Sequence, residues 1–248
     1  MKINVGTYNI WHAQDYAAHL KGERRISPEN IAEHIFKNNI AICGLEEVES
    51  SHRRSDFIKT PELLAEILSE KSGERYYHAY AVSLDEWHHP GSKYGNAIIS
   101  RYPITSTRTV KIDVGMGVTD VYEPRIMLIA ELDVDGKPLT AIVTHLGLME
   151  SERILAAERL EDLVKEINTP IILMGDLNTT PGSYVYNRIA ELLRDSSSDK
   201  TLPLTHPSEN PKYKIDYIFG SRDLTFTDPR TDSVMYSDHL PLTVTLDW

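Results

Sequence analysis

The 248-residue sequence has a single cysteine, Cys43. It lies in the apolar run 40–45, where a thiol acts as a small buried hydrophobic group. One cysteine excludes a fold held by intramolecular disulfides and indicates a reducing compartment. Apolar runs of the ~18 residues that span a membrane are also lacking, as is a signal-peptide core at the N-terminus. We therefore expect a cytoplasmic protein.

Basic residues are scarce as well. The sequence has 26 lysines and arginines against 37 aspartates and glutamates, which gives a formal net charge of −11. Proteins that hold long stretches of nucleic acid neutralise many phosphates with Lys and Arg side chains. The composition therefore disfavours a duplex-binding protein, although folding could bring Arg53, Arg54 and Lys59 together beside a site.

What remains is the composition of an ordinary globular protein, with 41% hydrophobic and 25% charged residues. The length is at the upper end of a single domain. No linker rich in Pro, Gly or Ser interrupts the chain, and no internal repeat is found. We expect one domain over residues 1–248.

Strand-like and helix-like segments alternate along the chain. Helices are predicted to begin at Pro28, after an N-cap at Ser27, and near Thr60, and to cover about 150–167 and 184–193. Strands are predicted at 3–8, 40–45, 97–100, 107–112, 125–134, 138–144, 171–174, 213–219 and 240–246. Asp135-Gly136 is a hairpin signal. Hairpins combined with helical crossovers favour an α/β fold of mixed sheets with helices outside.

Three stretches carry no regular pattern, at 84–94, 113–124 and 196–212. Long loops in a compact domain often form the rim of a binding site. We expect these loops to determine substrate specificity. Their candidate contact residues are Trp87, His88, His89, Tyr122 and His206.

Polar side chains follow apolar strands in five places: Tyr8-Asn9-Ile10, Glu46-Glu47-Val48, Thr144-His145-Leu146, Gly175-Asp176-Leu177-Asn178, and Ile215-Asp216-Tyr217 with Ser237-Asp238-His239. Each segment alone is compatible with a turn or a helix cap. Together they supply what phosphoester hydrolysis needs. Carboxylates bind Mg²⁺, which polarises a phosphoryl oxygen. An imidazole oriented by a carboxylate can take a proton from water, and amides can stabilise developing charge.

The order and the residues of these segments resemble those of the endonuclease/exonuclease/phosphatase, or DNase I-like, family. The resemblance extends from Tyr8-Asn9 to the C-terminal Ser-Asp-His-Leu-Pro-Leu. The stretch from Gly95-Asn96 to Pro103-Ile104 resembles phosphatase-like and sphingomyelinase-like members. The resemblance implies a four-layer sandwich, with two mixed β-sheets between outer helices and the site at one end.

The resemblance also implies a metal site. Glu47 is similar to the principal metal-binding glutamate of the family, Asn9 to its metal-proximal asparagine, and Asp238 to a further metal-side carboxylate. One position departs from the family, which commonly has Gln-Glu where this chain has Glu46-Glu47. Since successive strand residues point to opposite faces, only one glutamate should face the metal, and Glu47 is chosen by position. Glu46 either adds negative charge or points away.

By the same resemblance, His145 contacts the phosphoryl group, and Asp176 and Asn178 position the nucleophile and the phosphate. Asp216 is similar to the carboxylate that orients the catalytic histidine, here His239. The choice between Asp176 and His239 as the base stays open, as does the number of metal ions.

Two further residues are weaker candidates for substrate binding. Asn96 lies in the phosphatase-like stretch, and Arg125 begins a strand where related proteins often carry an arginine. A guanidinium there could hold a phosphate. An ion pair between Arg125 and Glu123 is an equally good explanation of its position.

The leading hypothesis is therefore a Mg²⁺-dependent phosphodiesterase or phosphatase, with Mn²⁺ as a substitute, that acts on a small or lipid-like phosphoester. A DNA or RNA nuclease of the same fold is the alternative. A binding protein that has lost catalysis ranks third, because every expected polar position is filled. No protein partner is predicted.

Overall fold

The structure is a computed structural model that describes residues 1–86, 88–112, 123–197 and 202–248. Its helices are α1 (Tyr16–His19), α2 (Pro28–Lys37), α3 (Thr60–Ser72), α4 (Glu150–Glu166) and α5 (Tyr184–Leu192), with 3-10 turns at Trp11–Ala13 and Arg53–Ser55. Its strands are β1 (Lys2–Asn9), β2 (Ile40–Ser50), β3 (Tyr77–Asp85), β4 (Lys93–Ser100), β5 (Ile104–Ile112), β6 (Arg125–Val134), β7 (Lys137–His145), β8 (Ile171–Asp176), β9 (Arg194–Asp195), β10 (Asp216–Gly220), β11 (Thr225–Thr231) and β12 (Leu242–Asp247).

Within the described residues, the strands form two sheets of six. One has the order β11-β12-β1-β2-β4-β3 and the other β5-β6-β7-β8-β10-β9. Each sheet has one parallel pair near its centre, β1 with β2 and β7 with β8, and antiparallel neighbours elsewhere. The predicted α/β class with two mixed sheets and helices outside is confirmed.

Three apolar layers hold the sandwich together. Side chains of both sheets meet in the central layer, which includes Val5, Ile42, Val143, Met174 and Ile218. A second layer packs β6, β7 and β8 against α4 and α5. A third packs β1 and β2 against α2 and α3. The sheets approach closely at Gly44, where a Cβ atom would lie 2.8 Å from Cγ2 of Val143.

Sequence patterns located the buried elements and missed three edge strands. The helix starts at Pro28 and Thr60 are confirmed. The predicted loop 84–94 is wrong at both ends, because β3 continues to Asp85 and β4 begins at Lys93. The missed edge strands are β3, β9 and β11. β3 and β11 are largely half-exposed, β11 contains Pro229, and β9 is only two residues long, so none of them shows a strong apolar pattern.

Parts of the other predicted loops lie outside the described residues. These parts are 113–122 and 198–201, and the candidate contacts Trp87 and Tyr122 are outside as well. Within the described ranges, no helix is long and apolar enough to cross a membrane.

The two parallel pairs bring the predicted site residues to one end of the sandwich. In the first sheet Asn9 is paired with Glu46, and in the second His145 is paired with Asp176. Strand β10 runs antiparallel to β8, so its first residue, Asp216, also lies opposite Asp176. Because neighbouring parallel strands end at the same edge, polar residues at four strand ends become neighbours in space.

Candidate active site

Asn9 connects the two sheets at this end of the molecule. Its side-chain Nδ2 donates to Oε1 of Glu47 at 3.1 Å and to Oδ2 of Asp176 at 3.2 Å. Its Oδ1 accepts from the backbone N–H of Trp11 at 3.2 Å. The amide is buried and has partners on both sides, so it holds the carboxylates of both sheets at a fixed separation.

A break in the pairing of β2 explains how adjacent glutamates are separated. The register with β4 shifts between Leu45 and Val48, and Glu47 has a left-handed backbone with φ of 55°. Such a conformation costs energy in a non-glycine residue and is often found at functional sites. The bulge directs Glu47 towards Asn9, and metal binding by Glu47 stays a prediction.

Glu46 does not point away into solvent. Its side chain is fully buried and its Oε1 accepts from Oγ1 of Thr7 at 3.0 Å. Burial, reinforced by the negative charges of Asp216 and Asp176, raises the pKa of Glu46 well above its usual value. An uncharged carboxylic acid at this position resembles the glutamine that is common in the family.

His239 and Asp216 form a direct pair. Nδ1 of His239 lies 2.9 Å from Oδ2 and 3.2 Å from Oδ1 of Asp216. Burial by itself lowers the pKa of His239, but the carboxylates of Asp216 and Asp176 raise it well above its usual value. On its other side, Nε2 lies 3.7 Å from Oδ2 of Asp176. The ring is therefore held between two carboxylates.

Asp176 is the most connected carboxylate of the site. Besides Asn9 and His239, its Oδ1 accepts from the backbone N–H of Asn178 at 2.9 Å. Burial, with the nearby charge of Asp216, raises the pKa of Asp176 to about 6. A carboxyl group with this pKa can change its protonation state near neutral pH.

His145 is buried beside Asp176 and Asn178. Its Nε2 lies 3.4 Å from Oδ2 of Asp176 and 3.1 Å from Nδ2 of Asn178, which also donates to the carbonyl oxygen of Leu146. Burial, with the positive charge of Arg125, lowers the pKa of His145 well below its usual value. Thus the site contains one imidazole biased towards the charged form and one held neutral.

Asp238 lies on the more open side of the site. Its carboxylate accepts from Oγ of Ser237 at 3.1 Å, and ligand atoms of Asp238, His206 and His239 lie within 4.8 Å of one another. The rings of His206 and His239 have centroids 4.7 Å apart. His206, which the loop pattern indicated only as a rim residue, therefore contacts His239.

The donor set fits a hard divalent cation. Glu47, Asp176, Asp216 and Asp238 converge with an amide and two imidazoles, and oxygen ligands of this kind suit Mg²⁺. Burial, opposed by the hydrogen bond from Asn9 and supported by the charge of Asp238, raises the pKa of Glu47 to about 7. A cation would favour the ionised form of these crowded carboxylates.

The two weaker candidates have structural partners. Asn96 is buried and donates from Nδ2 to the carbonyl oxygen of Ile126 at 3.3 Å, which joins the two sheets. Arg125 forms the ion pair that the sequence allowed, with Nη1 2.8 Å from Oε1 of Glu123. Its influence on the pKa of His145 nevertheless places its charge near the site. Substrate binding by either residue stays a prediction.

Sequence reasoning did not identify Thr7 or Tyr8 as part of the site. Thr7 supports Glu46, and the buried phenol of Tyr8 has its pKa raised by burial and by Tyr236, Asp238 and Asp216. A strand of alternating apolar residues gives no signal for these contacts. Their position directly before Asn9 was the only indication.

Comparisons with known proteins agree with this fold. A structure of the mannosyl-6-phosphatase Bt3783 of Bacteroides thetaiotaomicron superposes with a TM-score of 0.78 and 19% identity, covering 99% of this chain and 100% of that one. The human Nocturnin catalytic domain with bound sulfate gives 0.69 and 19%, covering 99% and 94%. Humanized D. rerio TDP2 gives 0.65 and 12%, covering 100% and 99%. No curated protein sequence matches.

At sequence identities this low, the superpositions show only that this chain shares the fold of these proteins. The sequence profile of the Endonuclease/Exonuclease/phosphatase family, however, matches residues 6–239, which include every candidate site residue from Asn9 to His239. Members of this family are phosphoester hydrolases that generally use divalent metals. The chain therefore belongs to the Endonuclease/Exonuclease/phosphatase family.

Proposed function

We propose that this protein is a Mg²⁺-dependent hydrolase of compact phosphoesters, with Glu47, Asn9 and Asp238 on the metal side of the site. The observation that carries the proposal is the arrangement around Asp176. One oxygen of this carboxylate accepts from Asn9, which also holds Glu47, and lies 3.7 Å from the ring of His239, which Asp216 orients. Metal ligands and proton-transfer groups thus share one carboxylate.

The bound metal would polarise a phosphoryl oxygen and stabilise the leaving oxygen. Asp216 holds Nδ1 of His239, so Nε2 faces Asp176. Without a metal, His239 is biased towards its charged form. A bound cation would lower the pKa of both His239 and Asp176, so that this pair can accept the proton of the attacking water. Since the two groups are coupled, the pH profile reports the pair and not one residue. His145 and Asn178 would donate to the phosphoryl oxygens as negative charge develops.

The charge distribution of the chain supports a compact substrate. Duplex binding requires several well-placed cations, and affinity then falls steeply with salt. Among the described residues, the acids Glu123 and Asp238 act on Glu47, and Arg125 is paired to Glu123. The arginines of the turn after β2 and the segment after α1 are mostly paired to acids as well, since Arg24 pairs with Asp56 and Arg54 with Glu49. The positive charge left over is too small for a long anionic groove.

A substrate panel tests the proposal. We would measure kcat/KM for phosphomonoesters, small phosphodiesters, phospholipids, and single- and double-stranded oligonucleotides, with Mg²⁺, Mn²⁺ or EDTA, near physiological salt. We expect hydrolysis of a compact ester, with Mg²⁺ required and the Asp176→Asn variant inactive. A clear preference for duplex DNA with a steep salt dependence would overturn the compact-substrate proposal and favour a nuclease.

A further inference from the structure

A cavity with an excess of positive charge lies beyond the C-terminal end of β2, the strand that carries Glu47, in a protein whose net charge is −11. It has a volume of about 710 Å³. Its walls come from the segment after α1, the turn after β2 and the loop between β3 and β4. The lining residues that matter here are Arg24, Arg53, Arg54, Phe57, His88 and His89.

Two of the three arginines are matched by acids. Arg24 pairs with Asp56 at 2.6 Å, and Arg54 pairs with the fully buried Glu49 at 2.5 Å. For the third, Arg53, no ion pair is found within the described ranges, and its side chain is exposed at the cavity. The cavity therefore has one more guanidinium than its own carboxylates neutralise.

The backbone around Arg53 is held in place. The N–H of Arg53 donates to Nε2 of His89 at 3.1 Å, and Nδ1 of His89 lies 3.1 Å from the carbonyl oxygen of Pro90. The rings of His89 and Phe57 have centroids 5.6 Å apart. His89 thus ties the turn after β2 to the β3–β4 loop, so the cavity wall is fixed before any ligand arrives.

The cavity lies just beyond the end of the strand that carries Glu47. Its lining residues His52 and Arg53 follow Ser50, the last residue of β2. Glu49, the partner of Arg54, lies two residues after Glu47, which is about 7 Å along a strand. The charges of the cavity also reach His12, three residues after Asn9. Burial, together with the charges of Arg54, His52 and Arg24, lowers the pKa of His12 to about 3. Positive potential therefore extends from the cavity towards the metal side of the site.

We propose that this cavity is a subsite for a second anionic group of the substrate, a phosphate bound chiefly by Arg53, while the reacting phosphoester occupies the site at Glu47. A guanidinium binds phosphate with charge-assisted, often bidentate hydrogen bonds. This inference rests on the proposed function, and it narrows the substrate to compounds with two phosphate groups. The second phosphate belongs either to a small bisphosphate or to the neighbouring nucleotide of a short oligonucleotide.

Binding without turnover tests the subsite separately from the reaction. EDTA-treated protein would be titrated by calorimetry with a hexose 6-phosphate, the matching hexose bisphosphate, a mononucleotide and a dinucleotide with a 5′-phosphate. In the wild type we expect at least one doubly phosphorylated probe to bind about 10-fold more tightly than its singly phosphorylated partner. The hexose and nucleotide pairs distinguish the two sources of the second phosphate.

The variants assign the effect to one side chain. Arg53→Glu should abolish the advantage of the second phosphate, and Arg53→Ala should reduce it. Lys59→Glu is the matched control, because Lys59 is exposed in the same segment and does not line the cavity. With Mg²⁺, Arg53→Glu should raise the KM of the doubly phosphorylated probe about 10-fold, whereas Lys59→Glu should leave that KM unchanged.

The subsite would be overturned if the wild type bound the singly and doubly phosphorylated probes of each pair equally tightly. It would also be overturned if Arg53→Glu and Lys59→Glu lost the same affinity for the doubly phosphorylated probe. If the binding advantage depends on Arg53 but no probe is hydrolysed, the subsite stands and the proposed hydrolysis fails. If a singly phosphorylated ester is hydrolysed and the second phosphate adds nothing, hydrolysis stands and the subsite fails.

Discussion

Single side chains at the site are specialised by their surroundings more than by their chemical type. His239 and His145 are both buried, yet Asp216 and Asp176 raise the pKa of one, while burial and Arg125 lower the pKa of the other. The two imidazoles can therefore serve different purposes in one reaction, one in proton transfer and one as a neutral hydrogen-bonding group.

Removing the imidazole of His239 should cost at least ~10²-fold in kcat, because the group takes part in proton transfer. Asp216→Asn should impair the same step, since an amide neither orients the ring in the same way nor stabilises its charge. Pre-steady-state kinetics on a hydrolysed substrate would measure both variants. The double variant should be little worse than His239→Ala alone, and additive losses would contradict the pairing.

Glu47→Gln should keep the fold but weaken activation by Mg²⁺, because a neutral amide is a poorer ligand for a hard cation. The measurement is kcat/KM as a function of Mg²⁺ concentration, with circular dichroism as the check on folding. Glu62→Gln, on the exposed face of α3, is the control. Full activity of the wild type in EDTA would exclude the metal.

At the scale of secondary structure, strand ends and one glycine determine the positions of the catalytic groups. Gly175 has φ of +152°, and a Cβ atom there would lie 1.9 Å from the carbonyl oxygen of Thr144. The missing side chain allows β7 and β8 to pair, which sets His145 opposite Asp176. The register of β7 and β8 thus depends on Gly175, which has no side chain to take part in the reaction.

Gly175→Ala should destabilise the protein by about 1–3 kcal/mol and lower kcat, because the clash separates β7 from β8. Gly136→Ala is the matched control. It has φ of +83° in the β6–β7 turn and nothing within 4 Å of an added Cβ, so it should cost only about 1 kcal/mol for the backbone conformation and leave kcat unchanged. Chemical denaturation gives both free energies of unfolding. Equal losses of unfolding free energy in Gly175→Ala and Gly136→Ala would show that the clash at position 175 does not destabilise the protein.

On the scale of the whole molecule, acidic groups are concentrated where the two sheets meet. Folding without a cation brings Glu46, Glu47, Asp176 and Asp216 into one buried region, where burial raises the pKa of the first three. Burial of these acids lowers the stability of the metal-free fold. A cation that binds the native state should offset this loss and stabilise the fold.

Metal-free protein should lose stability as pH rises. The pKa of Glu47 is raised from 4.5 to about 7 and that of Asp176 from 3.8 to about 6. The contribution of each group to the free energy of unfolding is fully present below the pKa of the group in the unfolded chain. It is lost as pH rises through the pKa of the group in the folded protein. In EDTA, the Tm of the wild type should therefore fall relative to the Tm of Glu47→Gln as pH rises from about 5 to about 8.

Addition of Mg²⁺ should remove that loss and raise Tm more at the upper end of this pH range, because the ionised carboxylates bind the cation. Differential scanning fluorimetry measures both effects. A Tm difference that stays constant with pH, or that favours the wild type at high pH without metal, would contradict the assignment of Glu47 as a carboxylate held partly protonated by burial.

The reaction class and the buried elements could be predicted from the sequence. Polar residues lie at the ends of apolar strands, so the pattern indicated Asn9, Asp176 and Asp216, and strong periodicity located the helices from Pro28 and Thr60. Only the folded chain shows that Asn9 holds Glu47 against Asp176, that Glu46 is buried against Thr7, and that His206 contacts His239. These contacts join residues far apart in the chain, and their geometry depends on a bulge in β2 and on the packing of two sheets. Local sequence carries no information about either, because both follow from how separate strands fit together.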